Sequence, residues 1–223
     1  MNAAPESYPI VVAITGASGA IYATRMLQIL IAHGDRPVHL TISPSGAAVV
    51  QQELGLAINL AKPDLSALMS LLPPWMNESS HRQVAEAAVD RAGQQLHYHH
   101  FQDYMTPIAS GSFRTAGMVV CPCSGSTLSA IARAAASNLV SRAAEVHLKE
   151  HRKLVLVPRE TPVSTLQLEN MASLSQVGAV ILPAMPGWYH GIESMGDIVD
   201  FVVSRILDQI DFDNRLIERW KET

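Results

Sequence analysis

The sequence lacks several features that would place it in a particular class. It has only two cysteines, Cys121 and Cys123, and they lie one residue apart. Cysteines that close cannot join distant loops, and a metal site would need further ligands beside them, so we expect buried thiols in a reducing compartment. No apolar run approaches the ~20 residues of a membrane span. The first residues, MNAAPESYP, contain no basic stretch followed by an apolar one, so we expect no secretory signal and a cytoplasmic protein.

An excess of one charge is also missing. The 16 basic and 20 acidic residues give a net charge of −4, and no basic block interrupts the chain. This balance argues against nucleic acid or an anionic membrane surface as the main partner. The chain does have apolar residues at 48% of its 223 positions, which is enough to bury one sizeable core. We therefore expect a single domain over residues 1–223, with 207–223 as a C-terminal tail.

Short β-branched apolar runs alternate with longer helical patterns along the chain. The predicted strands cover residues 10–15, 38–43, 118–123, 154–158 and 179–183. The predicted helices cover residues 20–32, 128–136, 166–176 and 198–209. Continuous apolar strands separated by helices indicate a mostly parallel sheet with helices on both faces, and ligands bind such sheets beyond the carboxyl ends of the strands. Residues 59–95 fit no pattern well, and we assign them no chemical role.

A turn that contains two glycines, Thr15-Gly16-Ala17-Ser18-Gly19, joins the first strand to the first helix and is called the first turn below. Glycines let the backbone approach a ligand, Ser18 can cap the helix, and the helix N-terminus offers N–H groups to an anion. Such a turn is consistent with a nucleotide site and also with a plain tight connection. A nicotinamide cofactor would need an acidic residue at the end of the second strand, which instead ends Thr-Ile-Ser-Pro, and a Tyr-x-x-x-Lys pair is missing as well. NAD is therefore a minor alternative.

Five further motifs follow the first turn along the chain. They are SGSF at 110–113 leading into GMVVCPCS at 117–124, RAAEVHLKE at 142–150, LVPRETP at 156–162, LENM at 168–171 and PGWYH at 186–190. Together with the first turn, they resemble the UbiX-like flavin prenyltransferase family, which older names describe as 3-octaprenyl-4-hydroxybenzoate carboxy-lyases or phenylacrylic acid decarboxylases. The resemblance runs from about residue 11 to residue 220. It implies a Rossmann-like (flavodoxin-like) three-layer α/β/α domain that binds FMN and needs no metal.

The resemblance also implies roles for individual residues. Those that would bind FMN are Gly16, Ala17, Ser18, Ser43, Ser124, Gly125, Ser126, Thr127, Arg142 and Arg159. Those that would hold dimethylallyl phosphate are Lys149, Arg159, Tyr189 and Arg205. Those implied in catalysis near the reacting atoms are Glu160, Glu53, Ser18 and Tyr104. Tyr104 stands where some family members carry Trp, and an aromatic face there could steady an allylic cation, although Tyr does this less well.

The chemistry of prenyl transfer agrees with these residue types. An allylic phosphate that leaves its carbon needs a cationic clamp, which Lys149, Arg159 and Arg205 could supply. Tyr189 could donate a hydrogen bond to the same phosphate. Attachment to the flavin displaces a ring proton, so a base must lie nearby, and Glu160 is the candidate.

Several of these residues also have a plainer interpretation. Arg142 and Lys149 could be solvated helix residues. Glu160 could be an acid that faces a helix dipole. The nearby His97, His99 and His100 invite a metal interpretation, but no acidic or thiol partner accompanies them at ligand spacing. We therefore predict no metal site.

The function implied by the resemblance is prenyl transfer from dimethylallyl phosphate to reduced FMN. The prenylated FMN would serve a separate UbiD-type decarboxylase, such as that of ubiquinone synthesis. Two alternatives remain open, an FMN-dependent cysteine decarboxylase and a non-catalytic FMN-binding subunit. Family members form large assemblies with shared sites, and residues 199–206 are more apolar than the surface of one small domain needs. We therefore expect a homo-oligomer, with a dodecamer as the size that the resemblance suggests.

Overall fold

The computed structural model describes residues 8–76, 78–189 and 191–219, which are built around one six-stranded sheet. The strands are β1 (Ile10–Ile14), β2 (Val38–Ile42), β3 (Leu96–His100), β4 (Gly117–Cys123), β5 (Leu154–Pro158) and β6 (Val180–Ile181). Their order is β3-β2-β1-β4-β5-β6, and each neighbouring pair is parallel. The predicted parallel sheet is confirmed. All strands therefore end at one side of the sheet, called the carboxyl edge, and begin at the opposite side, called the amino edge.

Helices cover both faces of the sheet. The described residues form α1 (Ala20–His33), α2 (Pro44–Leu54), α3 (Leu65–Met69), α4 (Ser79–Gln95), α5 (Gly125–Ala132), α6 (Leu139–Lys149), α7 (Thr165–Gln176) and α8 (Met195–Gln209). Helices α1 to α4 and α8 share one hydrophobic core with the sheet, and α5 to α7 share the other. This is the three-layer α/β/α arrangement. Across the described ranges, no helix combines the length and the apolarity that crossing a bilayer requires.

Strand β1 shows how the two cores follow from the sequence. Val11 and Ala13 belong to the core beneath α5 to α7, whereas Ile10, Val12 and Ile14 belong to the core beneath α1. Each of the five is at most 1% exposed. Successive side chains of a strand point to opposite faces, and burying a Val or Ile side chain stabilises the fold by about 1.5–3 kcal/mol. A strand covered on both faces therefore needs a continuous apolar run.

The segment 59–95 has more structure than its sequence pattern indicates. It contains α3 and α4 and leads directly into β3. Helix α4 packs against α1 and buries Ala85, Ala88 and Ala92, a stripe that is only weakly hydrophobic. Strand β3 was not among the predicted strands, because it is rich in histidine and lies at the edge of the sheet, where fewer neighbours cover it.

Other differences from the sequence-based prediction concern the ends of elements. The helix expected at 128–136 begins earlier, at Gly125, and ends at Ala132. The strand expected at 179–183 is reduced to the two residues of β6. Cys121 and Cys123 are buried and not in a disulfide, as predicted. Burial raises the pKa of both thiols, that of Cys123 to about 12, so neither is a reactive thiolate near pH 7.

Candidate functional site

The loops that follow β1, β2 and β4 are hydrogen-bonded to one another at the carboxyl edge. The hydroxyl of Thr15 donates to the carbonyl oxygen of Pro122 over 2.7 Å and accepts from the N–H of Ser124 over 2.8 Å. The N–H of Ser43 donates to the carbonyl oxygen of Ile14 over 3.0 Å. The first turn therefore lies between the loops that carry Ser43 and Ser124.

The first turn is shaped by its contact with the start of α2. A Cβ atom at Gly16 would overlap the Cβ of Ser45, so no larger residue fits there. Ala17 is buried and Ser18 is exposed. The expectation that Ser18 caps α1 is wrong, because the N-cap is Gly19, which has a φ of 110° and no side chain to form a cap. The Ser18 hydroxyl is thus available to a ligand.

The N-terminus of α1 is capped from α2 by Glu53. Its carboxylate accepts hydrogen bonds from the N–H of Gly19 over 3.0 Å and from the N–H of Ala20 over 2.9 Å. A carboxylate at this position satisfies two helix-end donors and faces the positive end of the helix dipole. The resemblance placed Glu53 near the reacting atoms, and the structure does place it at the first turn. Its bonds there favour a capping role over proton transfer.

The N-terminus of α5 carries a cluster of hydroxyl groups. The Oγ of Ser124 accepts from the N–H of Thr127 over 3.3 Å. The same Oγ lies 2.9 Å from the hydroxyl of Thr127 and 3.1 Å from that of Ser126. Hydroxyl donors grouped at a helix N-terminus form a site that suits a phosphate.

Arg159 and Glu160 follow β5 at the same edge. The Nε of Arg159 donates to the carbonyl oxygen of Ser18 over 3.3 Å, so this cation lies against the first turn. Glu160 is exposed, and its Oε2 accepts a hydrogen bond from the Nε2 of Gln167 over 3.3 Å. Both residues line a pocket of about 160 Å³, whose other walls come from α7 and from the loop after β6. The structure therefore brings a cation and a carboxylate together beside the first turn.

Sequence reasoning missed two residues of the carboxyl edge. Tyr22 lies near the start of α1, and burial raises its pKa, with buried Cys121 adding to the rise and Arg159 opposing it. Nothing in the sequence marks Tyr22. Gln167 contacts the carboxylate that follows β5, and a signal for it did exist. The Ser-x-x-Gln spacing from Ser164 is that of a capping box, which places the glutamine in the first turn of a helix.

Two predicted cations lie on α6, Arg142 near its start and Lys149 at its end. Lys149 ends α6 at the amino edge, where its Nζ pairs with Glu150 over 2.7 Å and lies close to Gly111. The Nε of Arg142 donates to the carbonyl oxygen of Ala109 over 3.1 Å. Both cations line a groove of about 890 Å³ between α5, α6 and α7. One chain therefore does not bring Lys149 beside the cation that follows β5.

The other predicted site residues are exposed. Tyr104 lies in the loop after β3 and is 45% exposed. Tyr189 follows β6, and its ring meets that of Phe201 edge to face at a centroid distance of 5.8 Å. Arg205 pairs with an aspartate one turn later on α8 over 2.8 Å and lines a pocket beside β6. His190, the last residue of the PGWYH motif, lies outside the described residues.

Three histidines lie side by side on β2 and β3. The Nδ1 of His39 is 2.7 Å from the Nε2 of His99, and the ring centroids of His39 and His97 are 5.2 Å apart. Burial, followed by the neighbouring imidazoles, lowers the pKa of His39 to about 4 and also lowers that of His99. His39 and His99 are therefore neutral near pH 7. Within the part of the chain that the structure describes, no group of three His, Cys, Asp or Glu side chains could hold a metal ion.

Comparison with known proteins identifies the family. The chain matches the family model described as Flavoprotein over residues 2–207. The flavin prenyltransferase UbiX of Pseudomonas aeruginosa is 45% identical over 213 residues, which cover 96% of this chain and 94% of that protein. The flavin prenyltransferase UbiX of Alkalihalophilus pseudofirmus is 42% identical over 211 residues, which cover 95% of each.

Solved structures agree with these relatives. AnUbiX (PadA1), in complex with FMN and dimethylallyl pyrophosphate, is 36% identical with a TM-score of 0.75, covering 97% of this chain and 99% of that one. A dodecameric FMN-dependent UbiX-like decarboxylase from Escherichia coli O157:H7 is 38% identical with a TM-score of 0.75, covering 96% and 99%. The peptidyl-cysteine decarboxylase EpiD is 15% identical with a TM-score of 0.52 over 92% of this chain and 98% of that one, which shows the shared fold alone. Since relatives above 40% identity match nearly its whole length, the chain belongs to the flavoprotein family and, within it, to the UbiX flavin prenyltransferases.

Proposed function

We propose that the protein transfers a dimethylallyl group from dimethylallyl phosphate to reduced FMN, and that the prenylated FMN serves a UbiD-type decarboxylase. Relatives named as flavin prenyltransferases support the proposal, as does a solved relative that holds both FMN and a dimethylallyl donor. The structural observation that carries it is the hydrogen bond from Arg159 to Ser18, with Glu160 next in the chain. In the proposal, Arg159 would bind the phosphate and Glu160 would accept the proton, both beside the turn expected to hold the flavin.

The carboxyl edge has donors that suit FMN. The hydroxyls of Ser124, Ser126 and Thr127, at the positive end of α5, would hold the phosphate. The corresponding N–H groups of α1 already donate to Glu53, so they are not the better phosphate site. The first turn and Ser43 would contact the remainder of the molecule. When bound and reduced, the flavin supplies the nucleophilic ring of the reaction.

The clamp for the donor phosphate requires a second copy of the chain. Helix α6 has 11 residues and is therefore about 16 Å long, and it separates Lys149 from the carboxyl edge. A lysine side chain is much shorter than this helix, so Lys149 cannot meet Arg159 within one chain. We therefore propose a homo-oligomer in which Lys149, and with it Tyr189 and Arg205, complete the site across contacts between copies. The dodecameric UbiX-like relative supports this arrangement.

The reaction then divides between cations and a base. The carbon–oxygen bond of the donor breaks, phosphate leaves, and a bond to the flavin forms while a ring proton departs. Arg159 and Lys149 would hold the leaving phosphate, whose negative charge increases as the bond breaks. Glu160 would accept the ring proton. Tyr104 would offer its aromatic face to the allylic cation.

Mass spectrometry of the flavin tests the proposal. The protein is incubated without oxygen with FMN, a reductant and dimethylallyl phosphate, and in parallel with dimethylallyl pyrophosphate. We expect FMN to gain the mass of one C5 unit with at least one donor, and the product to activate a UbiD-type decarboxylase prepared without its cofactor. The parallel incubation identifies the preferred donor.

The alternatives predict different results in the same assay. Tight FMN binding with no change in flavin mass would contradict prenyl transfer and favour a carrier subunit. Carbon dioxide release from a peptide that ends in cysteine would favour the cysteine decarboxylase. Only the fold shared with EpiD supports that activity.

A further inference from the structure

The side-chain amide of Gln167 is held in one orientation at the start of α7. Its Oε1 accepts a hydrogen bond from the N–H of Ser164 over 2.9 Å, while the Oγ of Ser164 accepts from the N–H of Gln167 over 3.3 Å. A backbone N–H can donate only to the amide oxygen, so the capping box fixes which end of the amide is which. The NH₂ group must therefore point away from Ser164.

This NH₂ group lies between two parts of the site. Its nitrogen donates to the Oε2 of Glu160 over 3.3 Å. A Cβ atom at Gly125, the first residue of α5, would lie only 2.7 Å from the same nitrogen. Gln167 thus occupies the space that a side chain at position 125 would need. It connects the helix end expected to bind the flavin phosphate with the carboxylate that follows β5.

Glu160 has few other constraints on its position. It is exposed, whereas Gln167 is half-buried and fixed by its cap. A base works only when it lies within hydrogen-bond reach of the proton that it accepts. A hydrogen bond to Oε2 from a neutral donor restricts the carboxylate while Oε1 can still accept a proton. A cation in the place of Gln167 would stabilise the charged carboxylate further and weaken it as a base.

We propose that Gln167 is a positioning residue that orients the carboxylate of Glu160 for proton transfer. This inference rests on the proposed function, because it requires Glu160 to be the base. Gln167 acts through Glu160 and does not itself contact the reacting atoms. Its second role, as part of the capping box, can be separated from the first by the choice of substitution.

The substitution Gln167→Glu provides the test. Glutamate keeps an oxygen for the N–H of Ser164 and is favourable at this position of a helix, so thermal stability should not fall. It replaces the donor that faces Glu160 by a like charge, which raises the pKa of a neighbouring carboxylate. We expect single-turnover prenyl transfer at saturating substrates to slow by about 10-fold or more. The acidic limb of the pH–rate profile should move to higher pH, while the KM for the donor stays unchanged. FMN is kept saturating, because the added charge also lies beside the helix end expected to bind its phosphate. Arg159, the cation next to Glu160, is the same in the variant and the wild type and so does not account for the difference.

Two further variants complete the design. Gln167→Met removes the donor without adding charge, so it should slow the reaction without the upward shift of the acidic limb. Gln83→Glu makes the same chemical change at an exposed position of α4, on the opposite face of the sheet, and should match the wild type in both readouts. An unchanged rate and pH profile in Gln167→Glu would show that Gln167 is a cap and nothing more.

Glu160→Gln in the same assay separates this inference from the proposed function. A slow Glu160→Gln with a normal Gln167→Glu would overturn the role of Gln167 alone. A normal Glu160→Gln would remove Glu160 as the base, and the role of Gln167 with it. If the wild-type protein forms no prenylated FMN, the proposed function and this inference fail together.

Discussion

The carboxyl and amino edges of the sheet hold the predicted site residues in different ways. At the carboxyl edge, Ser43, Ser124 and Arg159 belong to loops that are hydrogen-bonded to the first turn or to the end of β1 within one chain. At the amino edge, Lys149 pairs with the neighbouring Glu150 and faces a groove between helices. Adjacent parallel strands thus bring the proposed flavin-binding residues together within one chain. The proposed clamp for the donor phosphate would depend instead on how copies of the chain assemble.

The largest effect should come from the two residues that follow β5. Glu160→Gln keeps the size of the side chain but removes the base, so product formation should slow by about 10²–10⁴-fold while FMN and dimethylallyl phosphate still bind. Arg159→Ala removes a phosphate-facing cation and should weaken ligand binding as well. Single-turnover assays at saturating ligands measure the first effect, and ligand titrations the second. Near-wild-type rates in Glu160→Gln would show that Glu160 is not the base and only faces the dipole at the start of a helix.

Mixing two inactive variants tests whether the edges of different copies meet. Lys149→Ala and Arg159→Ala should each be impaired alone. In assemblies formed from equal amounts of both variants, about a quarter of the sites should combine an intact Arg159 from one copy with an intact Lys149 from another. These sites should recover activity. Recovery is measured after the two variants are dissociated and reassembled together. No recovery, or a fully active monomer by light scattering, would place both residues in one chain and contradict the shared site.

Unlike Lys149, the buried His147 at the amino edge should affect stability more than activity. It is 1% exposed and lies 2.8 Å from the hydroxyl of Thr115, just before β4. Burial lowers the pKa of His147 to about 4. Its hydrogen bond to the backbone of Ala143 raises the pKa, but by less than burial lowers it. Below pH 6.5 the unfolded chain binds this proton and the folded chain does not, so stability is lost as the pH falls from about 6.5 towards 4.

The size of this effect follows from the two pKa values. The free energy of unfolding at pH 5 should be about 2 kcal/mol lower than at pH 7 because of His147. Urea unfolding at both pH values measures the change. His147→Gln should be less stable at pH 7 but should depend less on pH over this interval. An equally steep dependence in the variant would assign the effect to other groups, such as His39.

At the carboxyl edge, a bulky residue in the first turn should weaken flavin binding. Ser18→Trp places a large side chain where the turn is exposed, next to the carbonyl that Arg159 contacts. We expect FMN affinity to fall by about 10-fold, which corresponds to ~1.4 kcal/mol. Flavin fluorescence titration gives the dissociation constant. Unchanged affinity would argue strongly against the first turn as part of the flavin site.

The smallest effect should come from Glu53, although it lies at the same edge. Glu53→Gln removes the charge that faces the N-terminus of α1 and should cost about 0.3–1 kcal/mol of stability. The rate of prenyl transfer should stay close to that of the wild type. Thermal unfolding and single-turnover assays on the same preparation give both values. A loss of rate as large as that of Glu160→Gln would instead make Glu53 a proton acceptor, as the resemblance implied.

The sequence allowed much of the fold to be predicted, and the exceptions have physical reasons. β1, β4 and β5 are buried on both faces and therefore appear as nearly continuous apolar runs, and β2 keeps apolar residues at Val38, Leu40 and Ile42. β3 lies at the sheet edge and carries histidines, so its pattern is weak. Helix α4 packs through alanines, whose small side chains give little periodic signal.

The candidate site was predictable as a set of residues but not as an arrangement. Motifs and their order along the chain pointed to the first turn, Ser124, Arg159 and Glu160. No local pattern could show that Glu53 reaches the start of α1, because those residues are more than thirty positions apart and meet only when α2 packs beside the turn.

By itself, the sequence determined the alternation of strands and helices, the family and the residue types at the site, since these depend on local periodicity and on motifs. Only the tertiary structure decided which side chains meet. It placed Arg159 against the first turn, Gln167 against Glu160, and Lys149 at the opposite edge of the sheet. The physical reason is that parallel strands with helical crossovers bring together residues distant in sequence at the strand ends. The same crossovers carry the two ends of one helix to opposite edges.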